Sequence, residues 1–330
     1  MVDQIKTSFK IAAIQATPVF LDRSATVEKA CELIAIAGHE GARLVVFPEA
    51  FIPTYPHWVW EIPAGEEEML GGLYAALLEN AVTIPSEATE RLCRAAKLAN
   101  VYVVMGMSER NTEASGASMY NTILYIDAHG EILGKHRKLV PTGGERLVWA
   151  QGDGSTLRVY DTSLGKIGGL ICWENYMPLA RYAMYAWGTQ IYLAPTWDRG
   201  QTWQATLRHI AKEGRVYVIG CSIVMHKNTI PDQFAYIQKF YADAHEWINV
   251  GDSAIIDPWG QYIAGPVRKK EEILYAEIDI QQMYGSKWMF DVAGHYARPD
   301  VFELIVHTDA RQMLQARADS DMQTPGSEMQ

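Results

Sequence analysis

Short β-branched runs alternate with helical stretches along almost the whole chain, and this alternation restricts the fold more than any other feature. Lys10 to Ala16 reads as a first strand. Ser24 to Gly38 reads as a helix, because Val27, Cys31 and Ile34 recur at helical spacing and share one face. Arg43 to Phe47 is a buried strand that runs into Pro48-Glu49. Ser86 to Ala99 is a second helix: Ser86 after Pro85 is a good N-cap, Leu92, Ala95, Ala96 and Ala99 form an inner stripe, and Asn100 stops it. Val101 to Met107 and Asn121 to Asp127 are further strands, and Ala128-His129-Gly130 turns the chain back into Ile132 to Gly134 as a hairpin. Beyond them, Lys166 to Cys172, Tyr192 to Ala194, Val216 to Ile223, Ala254 to Ile256 and Ile273 to Ile278 read as extended. Leu179 to Trp187 and Thr202 to Gly214 read as helical. The alternation predicts an α/β fold with helices covering sheets, and the hairpin signals predict that the sheets are mixed.

No linker interrupts Lys10 to Pro299, and no repeat has a solenoid period. Ala318 to Gln330 is polar, holds Pro325 and Gly326, and reads as a mobile tail. The 330 residues carry a formal charge of −10 with scattered bases, which argues against nucleic acid or an anionic membrane surface as a partner. No apolar run approaches the roughly 20 residues of a membrane span. Met1 to Lys6 lacks a basic region followed by an apolar run, so no secretory signal is expected. Cys31, Cys93, Cys172 and Cys221 are widely separated and form no CxxC pair; a reducing cytoplasm is therefore expected rather than a disulfide framework or zinc site. Gly152-Asp153-Gly154 lacks the third glycine of a dinucleotide fingerprint, and Gly143-Gly144 is not followed by Lys-Ser or Lys-Thr, so both read as turns. The nine histidines show no HxH or HExxH spacing, and no metal site is expected.

Cys172 stands out. It ends the apolar run Ile167-Gly168-Gly169-Leu170-Ile171, just before a helix, where backbone N–H groups point outward beside a nucleophile. Most free cysteines are small buried hydrophobes, and that reading competes. Glu49 also closes a buried strand; it is either a solvated strand-end acid or a carboxylate of raised pKa able to take a thiol proton. Lys138 lies in Lys135-His136-Arg137-Lys138, which by itself reads as a solvated basic run, and Glu145 by itself as a surface acid.

Read together, these positions resemble the nitrilase superfamily of carbon–nitrogen hydrolases, defined by a Glu, a Lys and a Cys in this order. The matching segments are Phe47-Pro48-Glu49-Ala50, Lys135-His136-Arg137-Lys138 and Cys172-Trp173-Glu174. Tyr120-Asn121-Thr122, Glu145-Arg146-Leu147-Val148-Trp149 and Gly294-His295-Tyr296-Ala297-Arg298-Pro299-Asp300 agree as well, so the resemblance runs from about residue 8 to 305. Cys172-Trp173-Glu174-Asn175 looks like the branch that holds the true nitrilases and the cyanide-degrading enzymes. Gly143-Gly144 departs from the bulkier residues of many members, and is expected to loosen the loop that places Glu145.

The resemblance implies a four-layer α-β-β-α sandwich with two mixed sheets, formed by residues 1–305 as one domain, with 306–330 as a C-terminal segment. It implies catalysis by Glu49, Lys138, Glu145 and Cys172 without metal or cofactor. Cys172 would attack a nitrile carbon with Glu49 as base, Lys138 and the Trp173 N–H would stabilise charge on nitrogen, and thioimidate and thioester intermediates would follow. Tyr55, Trp173, Thr196 and Trp197 match substrate-lining segments. Homo-oligomers, dimers building into spirals, are implied too. Tyr55, Trp58, Trp60, Trp197 and Trp203 are expected near the pocket mouth, where aromatic walls favour organic nitriles, aliphatic or arylaliphatic, over cyanide. The alternatives are a cyanide dihydratase or hydratase, an amide hydrolase, and a non-catalytic assembly protein; the complete Glu49, Lys138 and Cys172 set argues against the last.

Overall fold

The structure is a computed structural model and describes residues 8–241 and 246–314. The N-terminal stretch Met1 to Lys6 and the tail Ala318 to Gln330 lie outside the described residues.

The strands are β1 (Ser8–Gln15), β2 (Ala42–Val46), β3 (Tyr102–Arg110), β4 (Met119–Ile126), β5 (Ile132–Arg137), β6 (Tyr160–Thr162), β7 (Gly165–Gly169), β8 (Ile191–Thr196), β9 (Tyr217–Ser222), β10 (Val224–His226), β11 (Trp247–Ile256), β12 (Tyr262–Arg268) and β13 (Glu272–Asp279). The α-helices are α1 (Arg23–His39), α2 (Glu67–Asn80), α3 (Glu87–Ala99), α4 (Pro178–Ala186), α5 (Gln201–Gly214) and α6 (Ile280–Ser286). One six-stranded sheet has the order β13-β1-β2-β3-β4-β5; a seven-stranded sheet has the order β10-β11-β9-β8-β7-β6 with β12 beside β11. In the first, β1, β2 and β3 run parallel, and the outer strands β13, β4 and β5 are added antiparallel. In the second, β7, β8 and β9 are the parallel centre.

Burial by strand parity makes the layers. In β1, Ala12 and Ile14 pack towards α1 and α3, while Ile11 and Ala13 pack towards the other sheet. In β8, Ile191 and Leu193 face the first sheet, and Tyr192 and Ala194 lie under α4 and α5. The central strands are buried on both faces, so they read as continuous apolar runs rather than alternating ones. The result is helix, sheet, sheet, helix. Among the described residues, no helix is long and apolar enough to cross a membrane.

Helix α3 ends as its sequence dictates. At its start the Ser86 N–H donates to Thr89 Oγ1 at 2.8 Å, and at its end Asn100 adopts the left-handed conformation at φ 53°. Helix α2 has no counterpart in the periodicity reading. Its buried side chains are Leu73 and Leu77 alone, and Gly71-Gly72 in its middle mimics a turn.

One glycine ties this frame to the site. A Cβ on Gly106 of β3 would lie 2.0 Å from the Pro48 carbonyl oxygen and 2.9 Å from Glu49 Cα. Gly106→Ala therefore has to displace the Pro48-Glu49 backbone. It is expected to cost about 3 kcal/mol, read as a lowered denaturation midpoint, and to reduce activity with it.

Candidate active site

Four chain segments deliver side chains to one end of the sandwich, at the carboxyl ends of their strands, where open α/β sheets place ligands. Glu49 follows β2: Phe47 N–H donates to Val104 O at 2.8 Å, extending the strand, and Ala50 at φ 47° then turns the chain. The Glu49 carboxylate is buried. Its Oε1 accepts from Lys138 Nζ at 2.8 Å and Asn121 Nδ2 at 2.7 Å, and its Oε2 accepts from the Trp197 N–H at 2.7 Å. Burial outweighs the Lys138 charge, Glu145 adds to the effect, and the Glu49 pKa is pushed up to about 7.

Lys138 follows β5, and its N–H continues the ladder to Asn121 O at 2.8 Å. The basic run is not solvated. Strand parity sends His136 and Lys138 into the interior, while Lys135 and Arg137 both bind the buried Glu109. Lys138 is fully buried and bridges Glu49 to Glu145 Oε2, the latter at 2.7 Å. Burial disfavours its charge, but Glu49, Cys172 and Glu145 outweigh that and raise its pKa.

Glu145 is not a surface acid either. It sits in the 3-10 turn Gly143–Leu147 and accepts from the Thr142 N–H and from Tyr55 Oη, both at 2.7 Å. Trp60 Nε1 in turn donates to Tyr55 Oη at 3.0 Å. The expectation of a loosened loop is corrected here. A Cβ on Gly143 would lie 2.8 Å from the Trp60 ring, and one on Gly144 would lie 2.9 Å from Val59 O. The two glycines allow the turn to lie tightly on this aromatic segment.

Cys172 opens a 3-10 turn, Cys172–Tyr176, three residues past the end of β7, with φ 51°. A left-handed non-glycine residue is strained and must be held by its surroundings. Asn175 Nδ2 supplies part of this, donating to Leu170 O at 3.0 Å and Cys172 O at 2.8 Å. Glu174 supplies the rest: its buried carboxylate accepts from the Ile171 and Leu139 N–H groups at 2.7 and 2.6 Å and pairs with His136 Nε2 at 3.0 Å. It thereby staples the Cys172 turn to the Lys138 loop.

Thr196 Oγ1 donates to Cys172 Sγ at 3.2 Å while accepting from the Asp198 N–H at 2.8 Å. Burial foremost, then the Glu49 charge, raises the Cys172 pKa, with Lys138 opposing. The resting group is therefore a thiol, and attack requires a base.

The thiol faces a cavity of about 630 Å³ lined by Tyr55, Trp60, Glu145, Trp173 and Trp197, among others. Tyr55 and Trp197 stack with centroids 4.3 Å apart and planes 3° apart. Trp173 is half exposed and donates to Asp198 Oδ2 at 2.9 Å. Three placements differ from expectation. Thr196 contacts the sulfur rather than the cavity wall. Trp58 packs into the core beside Phe20 and His57, and Trp203 packs under α5's face of the second sheet. Both are large apolar rings that are almost fully buried in the core, although they lie close in sequence to cavity residues.

The profile of the carbon-nitrogen hydrolase family matches residues 10–287. An aliphatic nitrilase of Sinorhizobium fredii is 41% identical over 94% of this chain and 100% of its own length. A bifunctional nitrilase/nitrile hydratase of Nicotiana tabacum is 42% identical over 91% of this chain and 86% of its own. The chain belongs to the nitrilase branch of the carbon–nitrogen hydrolases.

Nit3 of Saccharomyces cerevisiae, a nitrilase-superfamily structure, shares the fold, with a TM-score of 0.69 at 22% identity over 88% of this chain and 97% of its own. As a carbon–nitrogen hydrolase, the protein holds its reactive groups with residues that sequence reasoning left without a role. Asn121, Glu174 and Asn175 are the main ones. A signal for Asn121 exists: a polar amide within the otherwise apolar β4 has to find a buried partner. Glu174 and Asn175 give no such signal, since any acid or amide after a strand reads as solvated.

Proposed function

We propose that the protein hydrolyses organic nitriles, aliphatic or arylaliphatic, with two waters to a carboxylic acid and ammonia. The observation that carries this reading is the buried chain Glu49–Lys138–Glu145 meeting Cys172 at the cavity floor. Glu49 accepts the thiol proton as Cys172 Sγ bonds to the nitrile carbon. Lys138, with the Trp173 N–H, stabilises the nitrogen of the resulting thioimidate. Water adds, ammonia leaves, and a second water cleaves the thioester to release the acid and the thiol. Glu145 fixes Lys138 between two carboxylates. Tyr55, Trp173 and Trp197 form the aromatic wall, and Thr196 holds the sulfur.

The same reading takes residues 1–305 as one catalytic domain, with 306–330 as a C-terminal segment. It takes the protein to be a cytoplasmic homo-oligomer, dimers building into spirals, a view supported by four free cysteines and by exposed apolar Leu179 and Phe302. The described part of the C-terminal segment is anchored, with the Arg311 N–H donating to Asp153 Oδ2 at 2.8 Å.

The test is kcat/KM for a short dinitrile, phenylacetonitrile, benzonitrile and cyanide, with ammonia and acid quantified. Organic nitriles should exceed cyanide, and benzonitrile should trail because a rigid ring at the reacting carbon crowds Lys138. If cyanide is best, or an amide alone is consumed, the reading fails. The pH profile has a fixed sign. Glu49 serves as base only when ionised, so kcat/KM should rise about tenfold per pH unit on the acid side and level off above about 7.

A further inference from the structure

The cavity that holds Cys172 is more charged than a neutral nitrile requires. Its acidic side chains, Glu145, Glu174 and Asp198, are all engaged. Glu145 and Glu174 have the partners described above, and Asp198 accepts from Trp173 Nε1 at 2.9 Å and from the Arg199 N–H at 2.7 Å. Two guanidinium groups at the same cavity are not engaged in this way. Arg146 comes from the Gly143–Leu147 turn, and Arg199 from the loop between β8 and α5. Both are exposed. Arg146 donates through Nε to Pro141 O at 3.1 Å, which leaves its two terminal nitrogens free among the described residues. Among the same residues, the Arg199 side chain has neither hydrogen bond nor ion pair, and the neighbouring Asp198 is held by Trp173 and the Arg199 N–H. Two separate loops thus bring unpaired cations to the mouth of a cavity whose walls are aromatic and whose floor is the thiol.

We propose that Arg146 and Arg199 recognise an anionic group at the far end of the substrate, so that the favoured nitriles are aliphatic ω-cyanocarboxylates. This deepens the nitrile-hydrolysis reading and rests on it. A guanidinium presents paired N–H donors that match a carboxylate's two oxygens. The aromatic wall covers the intervening methylenes, and the cyano carbon reaches Cys172. The chain's net charge of −10 does not draw an anion in, so the selectivity is local to this rim. The same arrangement has a consequence for dinitriles. Hydrolysis of one end converts a dinitrile into a cyanocarboxylate, which rebinds with its new carboxylate at the rim and goes on to the diacid.

The experiment compares glutaronitrile with 4-cyanobutyrate, which have equal chain length, in the wild type, Arg146→Ala/Arg199→Ala and Arg146→Glu/Arg199→Glu. The ratio of kcat/KM for 4-cyanobutyrate to that for glutaronitrile should fall about tenfold in the double alanine variant and further in the double glutamate variant, the size expected of two solvent-exposed ion pairs. Accumulation of 4-cyanobutyrate during glutaronitrile turnover should rise in step. A ratio that stays within about twofold across all three proteins overturns the proposal. A second measurement separates it from the reaction itself: calorimetric titration of glutarate into Cys172→Ala protein, with and without the two arginines. If no nitrile is turned over, the nitrile-hydrolysis reading fails on its own, and this titration decides the rim. Glutarate binding that weakens without the arginines supports it; binding that is absent or indifferent to them refutes it.

Discussion

Cys172→Ala is expected to lower nitrile turnover by on the order of 10⁶-fold while leaving the protein folded. The size follows from the absence of a substitute nucleophile among the described residues. Cys221 is sealed between the sheets, its Sγ donating to Ile14 O at 2.7 Å. Cys31 and Cys93 sit on α1 and α3, on the far side of the first sheet from the second. The fold should survive because alanine meets the same left-handed backbone cost at φ 51° that cysteine already meets, and Asn175 and Glu174 hold the turn through atoms that the substitution leaves in place. Among the described residues, the one hydrogen bond lost is the weak Thr196 hydroxyl–sulfur bond. Ammonia release, the thermal midpoint and intact mass during turnover check this together. A stable variant that still releases ammonia, with the adduct on another cysteine, would remove Cys172 from the nucleophile's role.

How much of this was legible depends on whether a residue's environment is local. Val27, Ile34 and Leu92 announce their helices because burial repeats along one helix face. Ser86 and Asn100 mark helix ends because their capping bonds lie within a few residues. The apolar pattern marks strand β11 only at Ala254 to Ile256, although the strand begins at Trp247. Gly251 at φ 92° and Asp252 at φ 82° irregularise its pairing and break the apolar pattern there.

The site divides in the same way. Cys172 and Glu49 are conspicuous as reactive groups closing apolar strands. Lys138 is hidden in a basic run, although the parity of Lys135-His136-Arg137-Lys138 separates two inward residues from two that share Glu109. The tightness of the Glu145 turn was illegible because it depends on Tyr55 and Trp60, brought close only by the fold. Gly143-Gly144 then looks like slack, when its lack of side chains is what lets the turn seat on Trp60.

Lys138→Met should be both unstable and inactive, and the two losses have one electrostatic origin. The ammonium is fully buried and lies 2.8 Å from Glu49 Oε1 and 2.7 Å from Glu145 Oε2. Removing it leaves two buried carboxylates facing each other without the cation that offsets their desolvation. Breaking a buried pair in this way costs about 3–5 kcal/mol. The protein can reduce that cost only by keeping a proton on one carboxylate, so the Glu49 pKa, already pushed up to about 7, has to move higher.

The sign in pH follows. A carboxylate whose pKa is raised on folding contributes most stability when protonated, and that contribution is lost as pH rises through the folded pKa. Destabilisation of Lys138→Met relative to wild type should therefore grow as pH rises above about 7, where Glu49 ionises beside its ammonium in the wild type but lacks that partner in the variant. Glu49→Gln added to Lys138→Met should recover part of the lost stability, because it removes one uncompensated charge, but no activity. Turnover should fall by at least about 10³-fold, since a donor to the developing nitrogen anion and an ionised base are lost together. Urea denaturation of the single and double variants at pH 5 and pH 8, alongside ammonia release, tests every part of this. If the single variant is as stable at pH 8 as at pH 5 relative to wild type, or if the added Glu49→Gln destabilises it further, Lys138 does not act as the counter-charge assigned to it here.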